Sequence, residues 1–156
     1  MPTNYGKKWE AKVKEDLSVL EGVSVDRIYD SVSGYKSVSN ISDFIAYMYP
    51  NIYYLEVKSI KGNTFPLKNL TQYEKLVTKV GKPGVRTGVI LWYIDHCKVA
   101  YEPISTITKL IKDCKKSVNV KMLDDDTYNL KRVPSVVKRT FPTCDYRMLK
   151  TLTDGE

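Results

Sequence analysis

The stretch from residue 41 to residue 58 reads ISDFIAYMYPNIYYLEVK and predicts two β-strands joined by a tight turn at Pro50 and Asn51. Side chains alternate between the two faces of a strand, so the residues that share a face can be identified from the sequence. On one face of each run lie Ile41, Asp43, Ile45 and Tyr47, and then Ile52, Tyr54, Glu56 and Lys58. We therefore predict that two carboxylates and a lysine meet on neighbouring strands.

These three side chains have the order and spacing of a D…E-x-K metal-dependent nuclease site. Mg²⁺ takes oxygen ligands and usually keeps several waters, so one or two carboxylates are sufficient to bind it. A bound metal lowers the pKa of water and polarises a phosphoryl oxygen, and a nearby lysine can hold the attacking water or stabilise negative charge. The alternative interpretation is an exposed strand pair with alternating charges. The apolar neighbours of Glu56 favour a half-buried strand, where an unpaired charge is costly.

The composition indicates a basic protein that consists of one domain. A chain of 156 residues is long enough for a substantial core. The net charge of +7 favours a polyanionic partner, with nucleic acid as the first candidate, although a generic basic protein is the alternative. No apolar run approaches the length of a membrane span, and the N-terminus lacks the core of a signal peptide.

The cysteine and histidine content restricts the chemistry and the compartment. Cys97, Cys114 and Cys144 are widely spaced and fit no zinc-binding pattern, so they suggest a reducing cytosol and a cytoplasmic protein. The chain has a single histidine, His96, which argues against Ser–His catalysis and against a histidine-ligated metal. The sequence therefore favours carboxylates as the metal ligands.

The first predicted helix covers about residues 5–20 and has apolar residues at helical spacing on one side. Glu10 lies beside this apolar stripe, so it can face the edge of the sheet. A solvated side chain, or a pair with Lys14 four residues later, is the alternative for this glutamate. Near a metal site, Glu10 could be a further ligand or could anchor a metal-bound water.

The remaining chain predicts an α/β domain in which a mixed central sheet is flanked by helices. Strands are predicted over residues 23–29, 87–93 and 99–101, and helices over about 71–80 and 105–112. Residues 31–40 predict a loop or hairpin tip, where Tyr35 and Lys36 could contact DNA. Gln72 lies in the first turn of its helix and faces the end of the E-x-K strand. The last thirty residues predict short helices or loops.

Together these features resemble the PD-(D/E)XK nuclease superfamily, and within it the RecU-type Holliday junction resolvases of Gram-positive bacteria and their phages. The resemblance covers roughly residues 4–112. The matching motifs are Asn4-x-Gly6-x-x-x-Glu10, Ser42-Asp43, Glu56-Val57-Lys58, and Phe65-Pro66-Leu67-x-Asn69 running into Gln72. A phage-type variant is expected because the chain is short.

The resemblance implies a homodimeric enzyme that nicks two opposed strands of a four-way junction symmetrically. Asp43 and Glu56 would hold Mg²⁺ or Mn²⁺, with the Val57 carbonyl completing the site. Lys58 would be the catalytic lysine, and Glu10 and Gln72 would support the active site. Basic residues that we expect to bind the DNA backbone are Lys36, Lys61, Lys68, Lys82 and Arg86.

Two departures from the family pattern concern the choice of DNA substrate. The family carries a long stalk before the catalytic aspartate. The corresponding segment in this chain, residues 30–40, is markedly shorter. The approach to Gln72 is also shorter and lacks the usual histidines. A nuclease of the same superfamily with another DNA substrate is therefore one alternative, and a branched-DNA-binding module without catalysis is another. The presence of Asp43, Glu56 and Lys58 together argues against the binding module.

Overall fold

The computed structural model describes residues 4–29, 31–33, 36–38 and 40–152, with backbone alone for the two three-residue segments. The helices in these ranges are α1 (Tyr5–Ser18), α2 (Tyr73–Val77) and α3 (Ile104–Lys112). The strands are β1 (Val23–Arg27), β2 (Ser31–Ser33), β3 (Lys36–Val38), β4 (Phe44–Met48), β5 (Asn51–Ile60), β6 (Thr64–Pro66), β7 (Val85–Tyr93), β8 (Lys98–Pro103), β9 (Ser117–Asn119), β10 (Lys131–Val133), β11 (Ser135–Val136) and β12 (Thr143–Cys144). A membrane-spanning helix is absent from the described ranges.

Six strands form the central sheet, in the order β1-β4-β5-β7-β8-β10. Strands β5 and β7 run parallel, and the other four neighbouring pairs are antiparallel. The sheet is therefore mixed, as the sequence predicts. The predicted hairpin is formed by β4 and β5, and its turn contains Pro50. Strand β5 lies in the interior of the sheet, so the E-x-K sequence is surrounded by paired backbone.

Helix α1 packs against one face of the sheet and forms the first core. Trp9, Val13 and Leu17 of this helix are fully buried against residues that include Phe44 and Leu55. Helices α2 and α3 pack against the opposite face, where they cover β7 and β8. The two cores confirm the predicted arrangement, in which helices flank the sheet.

The segment from β10 to residue 152 completes the first core. Val133, Tyr146 and Leu149 are fully buried in it. The Cys144 backbone N–H donates to the Asp16 carboxylate of α1 at 2.9 Å. The Tyr53 hydroxyl of β5 donates to the Leu149 carbonyl at 2.6 Å. The end of the described chain is therefore bonded both to the first helix and to the strand that carries Glu56.

Several local predictions were wrong. The helix predicted over residues 71–80 is limited to the five residues of α2. The C-terminal region contains the short strands β10, β11 and β12 in addition to short helical turns. Of the two structures predicted for residues 31–40, a loop or a hairpin tip, the hairpin is observed, because residues 31–33 pair with residues 36–38.

Candidate active site

Asp43 lies at the point where the two strands of the central hairpin separate. The last paired residues are Phe44 and Leu55, and Asp43 directly precedes β4. Beyond this pair, the Val57 backbone N–H donates to Oδ2 of Asp43 at 2.8 Å. The N–H and C=O of one strand residue point to the same edge of the strand. The Val57 carbonyl therefore faces the side of β5 on which the Asp43 carboxylate lies.

Glu56 and Lys58 extend from the same face of β5. Only 4% of Glu56 is exposed, and its Oε1 lies 3.3 Å from the Lys58 ammonium nitrogen. Its second carboxylate oxygen, Oε2, is buried and receives no hydrogen bond from the described residues. A buried carboxylate oxygen without a partner is costly, so this atom favours a bound cation or a proton.

Helix α1 brings Glu10 to the same cluster. The Trp9 indole N–H donates to the Lys58 carbonyl at 3.1 Å, which fixes the helix against the E-x-K strand. Glu10 follows Trp9, and its Oε2 lies 2.6 Å from a guanidinium nitrogen of Arg27. Arg27 comes from the end of β1 and also lies over the rings of Tyr29 and Phe44. The cluster thus combines three carboxylates with one lysine and one arginine.

Burial raises the pKa values of all three carboxyl groups, and the negative charge of Asp43 raises those of Glu56 and Glu10 further. Burial, followed by the negative charge of Asp43, raises the pKa of Glu56 to about 7, against the opposing effect of Lys58. Burial also raises the pKa of Asp43, although the Val57 hydrogen bond and the charge of Lys58 oppose the shift. For Glu10, burial and then the charge of Asp43 raise the pKa, while Arg27 lowers it. The protein alone does not neutralise this concentration of negative charge.

The donor set fits a hard divalent cation. Asp43 and Glu56 supply carboxylate oxygens, and the Val57 carbonyl faces the same space. The described ranges contain no group of three or more His, Cys, Asp or Glu side chains that could hold a metal ion. Two carboxylates with one backbone oxygen and water are nevertheless typical of Mg²⁺, which keeps several of its waters.

The other predicted site residues have no described hydrogen bond or ion pair with the carboxylates. Gln72 precedes α2 and is half-buried, and no described hydrogen bond or ion pair joins its side chain to the carboxylates. Lys61 is exposed just beyond β5, and its ammonium lies 5.4 Å from the centre of the Tyr5 ring. Lys68 is exposed on a short helical turn after β6. Lys61 and Lys68 are thus both exposed to solvent, and the roles predicted for them and for Gln72 stay predictions.

The position of Arg86 does not agree with a DNA-contacting role. Arg86 was expected to bind the DNA backbone, but it is 8% exposed within β7 and lies near Tyr53 and Tyr101. The sheet covers it because β7 begins at Val85, two residues earlier than predicted. Lys36 belongs to β3, whose side chains lie outside the described part of the structure, and Tyr35 lies outside the described residues.

Sequence reasoning did not identify Arg27 as part of the site. Alternation along β1 places Arg27 on the face of Val23 and Val25, towards α1. The sequence shows this alternation, but it does not show that Arg27 of β1 pairs with Phe44 of the neighbouring strand β4. The contact with Glu10 depends on this pairing and on the position of α1, so both long-range relations were needed to find it.

Comparisons with known proteins agree with the fold. Models of protein families gave no match to this sequence, and neither did curated protein sequences. Among solved structures, the chain is similar to Hjc from Archaeoglobus fulgidus, a Holliday junction resolvase from an archaeal hyperthermophile, with a TM-score of 0.50 and 20% identity. The match covers 65% of this chain and 78% of the resolvase. It confirms the predicted fold class, whereas the RecU-type assignment stays a prediction.

Proposed function

We propose that the chain is a metal-dependent endonuclease that resolves four-way DNA junctions by paired, symmetric nicks. The observation that carries this proposal is the cluster in which Asp43, Glu56, Lys58 and Glu10 meet where β4 separates from β5. The similarity of the fold to a Holliday junction resolvase supports the choice of substrate. We further propose that the enzyme acts as a homodimer in the cytoplasm of a bacterium or a phage-infected bacterium.

Each residue of the cluster has a role in the proposed hydrolysis. Asp43, Glu56 and the Val57 carbonyl would hold Mg²⁺ or Mn²⁺. When bound, the cation supplies Lewis acidity and lowers the pKa of water. Lys58 is anchored beside Glu56, so its ammonium can orient the attacking water or stabilise the phosphate oxygens as negative charge develops. The oxygen of water forms a bond to phosphorus, and the bond from phosphorus to the 3′ oxygen breaks. The attacking water loses one proton to solvent, and the departing 3′ oxygen takes up one proton from solvent and leaves as a hydroxyl group.

Arg27 is a positioning residue in this scheme. Its guanidinium lies 2.6 Å from Glu10 and is held over two aromatic rings, so it limits the movement of the Glu10 side chain. It also reduces the repulsion between Glu10 and Asp43, since it lowers the pKa values of both groups. Glu10 would support the site through this contact, and Gln72 is kept as a further supporting residue by resemblance.

The short hairpin favours a second candidate, a nuclease of the same superfamily that acts on other DNA structures. Strands β2 and β3 have three residues each and occupy the place between β1 and β4 where the resembled family carries a long stalk. A short hairpin offers less protein to insert into a junction. This candidate keeps the active site and changes only the substrate.

Cleavage of a labelled synthetic four-way junction tests the proposal. The wild type and Asp43→Asn are incubated with Mg²⁺ and either the junction or a linear duplex of the same sequence. The proposal expects paired nicks near the crossover of the junction, an intact duplex and no cleavage by Asp43→Asn. Equal cleavage of both DNAs favours the second candidate. Binding without cleavage by the wild type contradicts the nuclease assignment and favours a binding module.

A further inference from the structure

Four apolar side chains of β4 and β5 lie next to one another on the face of the sheet that carries Glu56. We call this group the tyrosine strip, and it consists of two cross-strand pairs, Ile45 with Tyr54 and Tyr47 with Ile52. Tyr47 is 44% exposed and Ile52 is 38% exposed, while Ile45 and Tyr54 are half-buried. Large apolar side chains that are exposed next to one another on a sheet favour a partner.

The described helices leave this part of the sheet open. Helix α1 packs against the opposite face, where it contacts β1 and β5, and α2 and α3 lie over β7 and β8. The strip belongs to β4 and β5, on the face of α2 and α3. Tyr54 packs against the edge of the core that these helices cover, whereas Tyr47 and Ile52 remain exposed. Its exposure is therefore a consequence of how the helices are distributed.

The strip is continuous with the candidate active site. Ile52, Tyr54, Glu56 and Lys58 follow one another on the same face of β5, since every second residue of a strand shares a face. From Ile52 to Glu56 the strand rises about 13 Å, at roughly 3.3 Å per residue. One strand of B-form DNA rises 3.4 Å per nucleotide, so the distance from the outer end of the strip to Glu56 corresponds to about four nucleotides.

Positive charge accompanies the strip on one side. The Lys79 ammonium lies 5.6 Å from the centre of the Tyr54 ring. At the far end, Ile52 donates its N–H to the Gly84 carbonyl at 2.8 Å, which holds the loop that contains Lys82 beside the strip. On the other side, exposed Asp26 of β1 pairs with Ile45. A phosphate backbone is therefore attracted to the side of Lys79 and Lys82 and repelled from the side of β1.

We infer that the tyrosine strip binds unpaired nucleotides of DNA that flank the phosphate to be cut. The inference rests on the proposed function and specifies its substrate. In a duplex the faces of the bases are already stacked on their neighbours, so only unpaired bases can stack on Tyr47. Aromatic side chains beside a basic groove are typical of proteins that bind single strands, and each stacked base contributes substantially to affinity. Lys79 and Lys82 would bind the phosphates while the bases lie on the apolar strip.

Fluorescence anisotropy with two labelled DNAs tests this inference. One DNA is a fully paired duplex, and the other has the same duplex followed by splayed, unpaired strands that contain 2-aminopurine. Binding is measured in EDTA to prevent cleavage. We expect Tyr47→Ala to weaken binding of the splayed DNA about tenfold and to change duplex binding little. Tyr47→Phe keeps the ring and is the matched control, so it should bind both DNAs like the wild type. The 2-aminopurine fluorescence should be quenched by the wild type and by Tyr47→Phe alone.

Three outcomes would overturn the inference. The first is an equal loss of affinity for both DNAs in Tyr47→Ala, and the second is no loss at all. The third is a halving of the protein's mass in sedimentation when Tyr47 is replaced by alanine, because a second copy of the chain would then cover the strip. Thermal unfolding of each variant confirms that it is folded. A failure of the proposed nuclease function is seen separately, as absence of cleavage by the wild type in Mg²⁺.

Discussion

Two buried glutamates lie on one row of the central sheet and have opposite surroundings. Glu56 on β5 and Glu102 on β8 are both paired with Val89 of the intervening β7, from its two sides. They are 4% and 0% exposed, respectively. Since the two side chains project from the same row, differences in their chemistry come from their neighbours and not from the depth of burial.

The neighbours of Glu56 are charged, whereas the contact of Glu102 is neutral. Glu56 lies near Asp43, Lys58 and Glu10, and its pKa is raised to about 7. Glu102 accepts a hydrogen bond from the Tyr93 hydroxyl at 3.2 Å, and burial raises its pKa to about 8. Burial of one isolated carboxyl group gives a neutral acid. Burial of several carboxyl groups beside a lysine concentrates negative charge, which supports the proposed cation site at Glu56.

The largest expected difference between the two glutamates is in catalysis. We expect Glu56→Gln and Asp43→Asn each to reduce junction cleavage about 1,000-fold, which corresponds to roughly 4 kcal/mol of lost transition-state stabilisation. Glu102→Gln, the matched control on the same row, should retain activity within about twofold. Initial rates of nicking in Mg²⁺ measure both effects. A loss of activity in Glu102→Gln as large as in Glu56→Gln would contradict the comparison.

The second difference is in the effect of pH on stability. The folded pKa of Glu102 is higher than the unfolded value of 4.5, so its stabilising contribution is complete below pH 4.5 and is lost as pH rises through about 8. Over this window the free energy of unfolding should fall by on the order of a few kcal/mol because of this residue. Chemical denaturation at several pH values measures it.

Glu102→Gln should be less sensitive to pH in these denaturation experiments than the wild type. The carboxyl cluster contributes in the same direction in metal-free buffer, so the variant should keep part of the dependence. If the free energy of unfolding falls by the same amount in the wild type and in Glu102→Gln between pH 4.5 and pH 8, Glu102 is not a neutral acid in the folded protein.

The third difference is in the response to a divalent cation. At pH 8 we expect saturating Mg²⁺ to raise the free energy of unfolding by about 1–3 kcal/mol, since a ligand that binds only the folded state stabilises it. Glu102→Gln should keep this response and Asp43→Asn should lose it. Thermal unfolding with and without Mg²⁺ provides the readout, and Ca²⁺ can be used where cleavage products must be avoided. A Mg²⁺ response that survives in Asp43→Asn would place the cation elsewhere.

A smaller effect is expected for the arginine beside the cluster. Arg27→Ala should reduce cleavage about tenfold, or roughly 1.4 kcal/mol, because Glu10 loses its ion pair and the repulsion from Asp43 increases. The pH at which half-maximal activity is reached should move upward in Arg27→Ala, since Arg27 lowers the pKa values of both carboxyl groups. Arg27→Lys should restore part of the rate. An unchanged pH profile would mean that Arg27 has a packing role alone.

The smallest effect is expected at the exposed lysine beyond β5. Lys61→Ala should lower the slope of log affinity against log salt by about one, which is the loss of one phosphate contact. Lys109→Ala on α3, whose ammonium lies 5.4 Å from the centre of the Tyr128 ring, is the matched control and should leave the slope unchanged. Anisotropy titrations at several salt concentrations measure both. If the slope of log affinity against log salt is the same for the two variants, Lys61 does not contact the DNA backbone.

The local part of the site could be predicted from the sequence because it depends on alternation along one hairpin. Asp43, Glu56 and Lys58 lie within sixteen residues, and the register of a short hairpin follows from its turn. Helix α1 and strand β7 were predictable for the same reason, since their periodicity is local. The mixed sheet followed from the order of these elements.

The non-local part could not be predicted. Glu102 follows the run of residues predicted as a strand, and nothing nearby in the sequence indicates that β8 continues to Pro103 and buries it. Arg86 was expected to bind the DNA backbone, since it precedes the strand predicted over residues 87–93, yet β7 starts at Val85 and buries it. In each case the burial of a charged residue depends on where a strand begins or ends, and neighbouring strands decide that position.

The hydrogen bond from Tyr53 to Leu149 has a consequence for synthesis of the protein. Strand β5 carries the E-x-K sequence, but its rear face receives Tyr146 and Leu149 only after the ribosome has translated almost the whole described chain. Until then, apolar surface of β5 is available to chaperones or to other nascent chains. We therefore expect that a fragment limited to residues 4–112, where the family resemblance lies, aggregates as it leaves the ribosome.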